Sequence, residues 1–502
     1  MELAFQKSAV NHLQKLIRQV QSQEETAEAA VPESLPDVGR IVSSWGIPVI
    51  RSKEWRGNAM MVSGGITVWV LYVPEDESLP RQISAYLPFS MRWELPQTEA
   101  EGTMRVSCHL KSVDARMVSP RKILVRASVS CLGEAFCAAE TTFYALPELP
   151  KEVEVLRNHL PLLLPSEMAE KSFLLDEELE LPGGASAVSQ VIAYQLSPVL
   201  TDNKVLGEKA LMKGSCGLHL VYMTPEDRLA VWDFDISFSQ YTELERSYEE
   251  EEELQAELLL TGAEIIPDED GRRLQLKCSL SAQCMVLHKQ MVELVQDMYC
   301  PNREVTLKNQ SMPVKSRLDH QILREQVEES FSLTGGSLLD CTLLPEFPKS
   351  HRNGQEVSLE TPVWCNILYY DAAGTLQGRS SHTTAKSNIH LAEDCICQAD
   401  VHLSGPVQWS LGGGSASVRA AVELTVDSFA DQELSMVCGA ELSQPQKPDP
   451  ARPSLILRAP KEGETLWSMA KASGSTVDSI REANQLTSDS LEECPLVLIP
   501  IH

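Results

Sequence analysis

Side chains capable of acid–base, nucleophilic or metal chemistry are present in this chain, but they lie scattered. Its 502 residues include 11 histidines and 13 cysteines, and zinc binding or acid–base catalysis would require such residues at defined spacings. There is no H-E-x-x-H stretch and no C-x-x-C pair, and Cys395 and Cys397 are only two positions apart. The sequence therefore predicts no metal site, no cofactor, and reduced, partly buried thiols of an intracellular protein.

The glycines, histidines and glutamates show no catalytic arrangement either. The G-G-G-S run at 412–415 lacks the lysine and the following helix of a phosphate-binding loop, and no G-x-S-x-G elbow occurs. Paired glutamates are plentiful, but nothing indicates that two converge in a cleft, as glycosidase chemistry requires. We therefore expect a protein that is not an enzyme; a carbohydrate-active enzyme built on the β segments is the weakest alternative. Several histidines do not occur at a spacing suited to metal binding, among them His219, His382, His390 and His402.

Charge and hydropathy exclude some classes of partner. The formal net charge is −28, from 71 acidic and 43 basic residues. An acidic chain repels phosphate groups, so nucleic acid and anionic membranes are poor partners, whereas a basic protein surface or simple solubility accounts for the charge. No apolar run reaches the roughly 18 residues that a membrane-spanning helix needs, so no membrane span is predicted.

The first 30 residues lack the continuous apolar stretch of a signal peptide, from which we expect a cytoplasmic protein. Their apolar side chains instead recur at roughly helical spacing, with polar residues between them. We predict that residues 1–30 form an amphipathic helix docked on its own protein. The apolar positions of this pattern are Leu3, Val10, Leu13, Ile17 and Val20.

An internal repeat dominates the rest of the chain. One copy begins at Pro48 and reads PVIRSKEWRGNAMMVSGGITVWVLYVPED; the next begins at Pro198, 150 positions later, and reads PVLTDNKVLGEKALMKGSCGLHLVYMTPED. Gly64 of the first copy matches Gly214 of the second. A third, weaker copy around Tyr369 reads EVSLETPVWCNILYYDAAG. Such a period indicates three copies of one structural unit.

The repeated segments have the pattern of β-strands. Apolar and polar residues alternate in RRLQLKCSLSA and ASVRAAVELTV, which places one face of each strand inside. Turn residues at 270–271 and 412–414 are suited to hairpins between such strands. Phe89 and Phe238 are equivalent in the first two copies, and the third copy lacks this aromatic.

The predicted fold is mainly β, with each copy closing a small antiparallel sandwich-like unit. We expect short connecting helices around LPKEVEVLRNHL and RLDHQILREQVEESF, and a solvated turn or helix face in the acidic run ELERSYEEEEELQAEL. The predicted domains are an amphipathic helix at 1–30, β units at 31–148, 165–302 and 325–440 (the last degenerate), a linker at 441–454 and a C-terminal module at 455–502.

The C-terminal module has a predicted β-α-α-β order. SLILR and PLVLIP are short strand candidates at its two ends. Thr465 and Thr476 can each cap a helix, Gly474 can end the first helix in a left-handed conformation, and Asn484 is a plausible stop for the second. The expected inward positions are Leu466, Met469 and Ala470 in the first helix, and Val477, Ile480 and Ala483 in the second.

These stretches carry two family resemblances. The SPOCS domain of endospore-forming bacteria is similar to VPESLPDVGRIVSSWGIPVI, GGITVWVLYVPED and ISAYLPFS, and to the linking phrases AEKSFLL and VEESFSL. The LysM module is similar to EGETLWSMAKASGSTVDSIREANQL followed by LVLIP. Three SPOCS-like units followed by a LysM module resemble the SipL-like family of spore coat morphogenesis proteins.

The LysM resemblance implies a shallow groove between two loops that binds N-acetylglucosamine polymers. Glu464 stands where the family usually has aspartate, and Arg458 where the first strand usually has an aromatic residue. We expect Trp467 to pack against the second helix. The groove residues that the resemblance implies are Gly463, Glu464, Thr465 and Leu466 in one loop, and Asn484, Gln485 and Leu486 in the other.

The combined resemblance implies a non-enzymatic scaffold of spore envelope assembly. It would act in the mother-cell cytoplasm, anchor the coat at the forespore surface, and use its LysM module to contact a protein, the ATPase of the coat basement layer. Lys471, Arg481 and the apolar residues around Leu466 and Ile480 are candidate contacts, chosen by position alone. The alternative is a protein that binds peptidoglycan through the LysM module.

Overall fold

The protein is mainly β, as predicted, and the two α-helices found in the described residues both lie in the C-terminal module. Among the residues that the structure describes, no helix is long and apolar enough to cross a membrane. The computed structural model describes residues 2–97, 101–333, 335–393, 395–412, 414–444, 453–461, 463–486, 488–489, 491 and 495–501.

The first unit is a sandwich of two antiparallel sheets. Its strands are β1 (Gln6–Ala30), β2 (Val38–Arg56), β3 (Ala59–Pro74), β4 (Arg81–Glu94), β5 (Thr103–Ser119) and β6 (Lys122–Ala145). One sheet has the order β1-β6-β5 and the other β2-β3-β4. Side chains of both sheets meet in one core, where Ile66, Leu87, Val106 and Val125 are buried. Each strand therefore buries one face against the opposite sheet.

The second and third units repeat this plan. The order β10-β11-β7 and its counterpart β12-β18-β17 correspond to β1-β6-β5. The smaller sheets are β8-β9 in the second unit and, in the third, β15 with β13 and β14 on one side and β16 on the other. The strands are β7 (Glu154–Glu180), β8 (Gln190–Met223), β9 (Leu229–Tyr248), β10 (Glu253–Pro267), β11 (Arg273–Tyr299), β12 (Val305–Ser332), β13 (Ser337–Pro345), β14 (Lys349–Asn353), β15 (Glu356–Tyr370), β16 (Leu376–His390), β17 (Cys395–Gly412) and β18 (Ser415–Leu442).

The repeat is visible in individual contacts of the first two units. Gly64 pairs with Phe89 across β3 and β4, and Gly214 pairs with Phe238 across β8 and β9. A Cβ on either glycine would lie 2.7 Å from the phenylalanine ring and 2.3 Å from a backbone carbonyl oxygen. Only glycine leaves room for this close approach, which explains why the two positions match in the sequence.

A buried tyrosine closes each of these two units in the same way. The Tyr72 hydroxyl donates to the carbonyl of Pro36 at 3.0 Å, and the Tyr222 hydroxyl donates to the carbonyl of Ser186 at 3.2 Å. Both bonds tie the end of a strand of the smaller sheet, β3 or β8, to the loop that precedes that sheet. The two units therefore share their loop geometry as well as their strand order.

The predicted N-terminal helix is wrong, because most of residues 1–30 form β1. This strand pairs antiparallel with β6 from Gln6–Ala145 to Ala30–Lys122. Its register shifts between Lys15 and Ile17, and such a bulge changes which side chains face inward. The apolar spacing that suggested a helix is thus produced by an irregular strand, in which Val10 is buried and Val20 is exposed.

The predicted connecting helices are also wrong. The stretch at 149–160 leads into β7, and the stretch at 317–331 lies within β12. Each of these long strands pairs with the central strand of its own sheet, which satisfies backbone groups that a helix would satisfy internally. The predicted hairpin at 270–271 does connect β10 to β11, and the acidic run contains the turn at 249–252 between β9 and β10. Of the predicted linker 441–454, residues 445–452 lie outside the described residues.

All three units meet at one buried carboxylate, that of Asp340 in β13. The Trp45 indole of the first unit donates to it at 3.3 Å, and the His219 ring of the second unit lies 2.8 Å from its other oxygen. A second polar junction joins Gln283 to Val106, whose backbone N–H and C=O both bond the amide of Gln283, at 2.9 and 2.8 Å. Buried polar pairs of this kind fix one relative position of the units.

Candidate binding site in the C-terminal module

The module has the predicted β-α-α-β order. Its elements are β19 (Leu455–Arg458), α1 (Leu466–Ser473), α2 (Val477–Asn484) and β20 (Val497–Pro500). The two short strands pair antiparallel, from Leu455–Pro500 to Arg458–Val497. The helices therefore lie in the chain between two strands of one small sheet, which sets the positions of the loops described below.

The helix ends are those that the sequence predicts. The Thr465 hydroxyl accepts from Ser468 N at 3.1 Å, and the Ser468 hydroxyl accepts from Thr465 N at 3.1 Å, which completes a capping box. Gly474 ends α1 with φ +62°. Thr476 caps α2 by accepting from Ser479 N. These reciprocal bonds satisfy backbone groups that a short helix would otherwise leave free.

The module core differs from the prediction at one position. Leu466, Met469, Ala470 and Ile480 are buried as expected, but Ala483 is exposed. The inward position one turn after Ile480 is taken by Asn484, whose amide bonds within the module. An alanine at 483 therefore lies beside the buried face of α2 rather than on it.

The first predicted groove loop is held by an ion pair. Arg458 donates two hydrogen bonds to the carboxylate of Glu464, at 2.5 and 2.7 Å, and Lys461 N donates a third at 3.0 Å. The bonds from Arg458, followed by the one from Lys461, lower the pKa of Glu464 to about 2. This carboxylate is therefore ionised and engaged within its own loop. Glu464 replaces the usual aspartate and Arg458 replaces the usual aromatic residue, and these two side chains bind each other.

The second predicted groove loop is held by Asn484. Its side-chain N–H₂ donates to the carbonyls of Ile480 and Leu498, at 2.7 and 2.6 Å, and its oxygen accepts from Leu498 N at 2.8 Å. The next residue, Gln485, has φ +54° and ends α2 in the left-handed region. Asn484 thus ties the end of α2 to β20, and these bonds engage both N–H donors and one acceptor position of its amide within the module.

These bonds bring the two loops to the same end of the small sheet. Leu498, which Asn484 binds, is next to Val497, and Val497 pairs with Arg458, which holds Glu464. The groove residues that remain exposed are Gly463, Thr465 and Gln485, whereas Leu466 is buried and Leu486 packs on the module core.

The module is docked on the end of β11 by contacts that the sequence does not reveal. Asp297 accepts from the Trp467 indole N–H at 2.9 Å and from the Lys471 ammonium at 2.7 Å. The Tyr299 hydroxyl donates to the carbonyl of Ser475 at 2.9 Å. The Tyr299 ring also meets Trp467 edge to face, with centroids 4.8 Å apart. Burial raises the pKa of this tyrosine, so its hydroxyl stays a donor.

This docking changes the roles expected for several residues. Trp467, expected to pack against the second helix, meets Tyr299 of β11. Lys471, a candidate contact for a partner protein, is paired with Asp297. The other candidates are also engaged: Arg481 pairs with Asp478 and Asp489, and Leu466 and Ile480 are buried in the module core.

The comparisons with known proteins agree with this module. The LysM domain family matches residues 461–493. No curated protein and no solved structure shows significant similarity to the chain. The C-terminal module therefore contains a LysM domain, whose family suggests binding to peptidoglycan or related carbohydrate. Across the residues that the structure describes, no group of three or more His, Cys, Asp or Glu side chains is placed to hold a metal ion.

Proposed function

We propose that this chain is a non-enzymatic binding protein whose LysM module recognises a polymer containing N-acetylglucosamine, of the peptidoglycan type. The observation that carries this proposal is the pair of loops at one end of the module sheet, with Gly463, Thr465 and Gln485 exposed. Docking on the β units uses other residues, namely Trp467 and Lys471. The module can therefore be held by the β units while its loops face a ligand.

The chemistry of the loops suits a sugar polymer. Both loops contain a residue with positive φ, +74° at Gly463 and +54° at Gln485, which exposes backbone groups at a tight turn. Fixed backbone N–H and C=O groups are suitable partners for sugar hydroxyls and acetamides. Because such a site is shallow, each module should bind weakly, and a fixed orientation on the β units reduces the entropy lost on binding.

Co-sedimentation of the full chain with purified peptidoglycan tests this proposal. We expect binding that chitin oligomers compete away, and that falls several-fold in Gln485→Gly, because the exposed side-chain amide of Gln485 adds its own donors and acceptor to the backbone groups of the second loop. The matched control is Asp227→Gly, since Asp227 also has positive φ (+57°) and lies in the turn between β8 and β9. An absence of sedimentation, or sedimentation insensitive to chitin oligomers, would contradict glycan recognition.

A second candidate is a scaffold of spore envelope assembly, in which the LysM module contacts a protein. It is favoured by the capture of the Glu464 carboxylate by Arg458, which removes an acidic group from the predicted sugar loop, and by the resemblance of the three β units to SPOCS domains. In this hypothesis the chain acts in the mother-cell cytoplasm, at the forespore surface, and its partner is the ATPase of the coat basement layer.

The two candidates differ in where the protein is found and what it binds. The scaffold hypothesis expects a fluorescent fusion of the full chain to collect at the forespore, and expects direct binding to the purified coat ATPase that chitin oligomers do not affect. A diffuse signal in sporulating cells, without ATPase binding, would rule out this hypothesis and would leave the peptidoglycan proposal intact.

A further inference from the structure

The sheets β1-β6-β5, β10-β11-β7 and β12-β18-β17 line a partly open cavity that the LysM module does not share. Its volume is about 1230 Å³, slightly above the range of roughly 300–1,000 Å³ typical of small-molecule sites. Strands of all three units line it, including β1, β5, β10, β12 and β17. The cavity therefore exists only when the three units are assembled.

The cationic side chains of the cavity wall are all paired. Lys15 and Arg105 bind the buried carboxylate of Glu134, at 2.7 and 2.6 Å. Arg18 donates to Asp400 at 2.6 Å. The fourth cation is Arg317, which bonds Glu253 at 2.5 Å and lies 3.5 Å from Asp427. An anionic ligand would have to break one of these pairs, so the wall does not favour anions.

Glu257 is the inner carboxylate of the wall for which the described residues supply no ion-pair partner. It lies on β10 beside Gln283, its register partner on β11. The charged groups that face it are Asp400, Arg105 and Glu134, and the Arg105 guanidinium is already bound to Glu134. Burial, followed by repulsion from Asp400, raises the pKa of Glu257 to about 7, against the effect of Arg105 and a hydrogen bond with Ser107.

The histidines of the wall also have partners. His12 lies 2.9 Å from the Thr141 hydroxyl and His109 lies 3.1 Å from the carbonyl oxygen of Pro345. His320 and His402 face the carboxylates of Asp427 and Glu423, at 2.8 and 3.2 Å. These contacts engage all four rings with groups other than Glu257.

The mouth and walls of the cavity are partly apolar. Ile322 of β12 and Ile396 of β17 line it and are exposed, with 56% and 41% of their surface accessible. Phe347 and Phe429 also contribute to the wall. Exposed isoleucines at the entrance of a charged cavity suit a ligand with an apolar stem and a polar head.

We propose that this central cavity binds an organic cation, an ammonium or guanidinium group on an apolar stem, with Glu257 as its counter-ion. The cation supplies the positive charge that the wall lacks, and its stem covers the isoleucines at the mouth. The same chemistry is offered by a small amine and by an arginine or lysine side chain of another polypeptide. The site is independent of the LysM loops and of the function proposed for them.

Calorimetric titration of the full chain at pH 8 tests the proposal with two probes. Agmatine represents the small molecule, and the peptide acetyl-Leu-Arg-Leu-amide represents a polypeptide source. Its control is the same peptide with citrulline in place of arginine, which keeps the shape but not the charge. We expect one cation bound per chain and no binding of the citrulline peptide; agmatine binding assigns a small-molecule source, and binding of the peptide alone assigns a polypeptide.

Two variants connect binding to the cavity. Glu257→Gln should weaken binding by roughly tenfold or more, as expected for loss of a bond to a charged group, and Glu250→Gln, in the exposed acidic turn, should leave it unchanged. Ile322→Lys should also weaken it, by placing a competing cation at an exposed position of the mouth. Binding should strengthen by roughly ninefold from pH 6 to pH 8, because a carboxyl with this pKa goes from about one tenth to about nine tenths ionised.

Three results would each overturn the proposal. They are the failure of both arginine-like probes to bind, equal binding of the citrulline peptide, and unchanged affinity in Glu257→Gln. A folded Glu257→Gln protein is expected because the variant has the size of glutamic acid and matches a protonated state that is already populated near pH 7.

Discussion

Replacing Asp297 tests whether the LysM module is held on the β units by the contacts described. In Asp297→Ala the Trp467 indole N–H and the Lys471 ammonium both lose their acceptor. A hydrogen bond to a charged group contributes about 1.5–3 kcal/mol. The pair with Lys471 is half-exposed and adds only about 0.2–1 kcal/mol. The docked state should therefore be weakened by about 2–4 kcal/mol.

Asp297→Asn separates these two contributions. Its side-chain oxygen can still accept from Trp467, so only the ion pair and part of the strength of the hydrogen bond are lost. We expect this variant to weaken docking by about 1 kcal/mol. Asp478→Asn is the matched control, because Asp478 is an exposed carboxylate of the same module that does not contact β11.

Hydrogen exchange measured by mass spectrometry on the full chain reads out docking directly. For the peptide that covers α1, opening should become roughly 30-fold to 1,000-fold more frequent in Asp297→Ala, which is the factor equivalent to about 2–4 kcal/mol. Peptides from β2 to β4 should not change. Exchange of α1 in Asp297→Ala at the rate of the wild type, or equal to that of Asp478→Asn, would refute the reasoning and leave Tyr299 as the main attachment.

Three further predictions concern stability and are measured by urea denaturation. Glu134→Gln should lower the free energy of unfolding by about 3–5 kcal/mol, because it leaves Lys15 and Arg105 without their carboxylate, while Arg18 keeps Asp400, whereas Glu140→Gln at the exposed rim should have little effect. Burial opposes protonation of His219, but hydrogen bonds with the facing carboxylates raise its pKa to about 10. The stability that protonated His219 contributes is therefore complete below its pKa in the unfolded chain, about 6.5, and is lost as pH rises towards 10, by roughly 1 kcal/mol per pH unit. His219→Gln should remove this pH dependence. Gln485→Gly should stabilise the module by about 1 kcal/mol, since glycine adopts φ +54° without strain, and a loss of stability would indicate that the side chain makes contacts within the module.

The sequence predicts the repeat and the module well because both rest on local rules. Gly64 and Gly214 match because each must leave room for a phenylalanine ring, and Thr465, Gly474 and Thr476 define helix ends by their own backbone bonds. Such features need only neighbouring residues, or a period that is visible in one chain.

The sequence misleads where pairing over a long distance decides the structure. The helical spacing of the first 30 residues is overridden by β6, which lies at the far end of the same unit and offers a full-length partner. A bulge at Lys15–Ile17 then mimics a helical period. No local pattern could indicate this outcome, since it depends on a strand that begins at Lys122.

Sequence patterns do not reveal the docking contacts or the cavity, for the same reason: both depend on residues that lie far apart in the chain. Asp297 and Trp467 are separated by 170 positions. Glu257 gains its unusual environment from Asp400 and Arg105, which belong to the other two units. An aspartate in a strand and a glutamate in an acidic chain carry no mark of such roles until the units are assembled.

The contacts at Asp340 determine which copy of the repeated unit can occupy each position in the assembly. The first copy supplies an indole, the second an imidazole and the third the carboxylate that receives both. A recombinant chain with two copies in exchanged order would keep every strand but would bury that carboxylate without its donors. The three units therefore share a fold, but the residues at their contacts differ, so one copy cannot take the place of another.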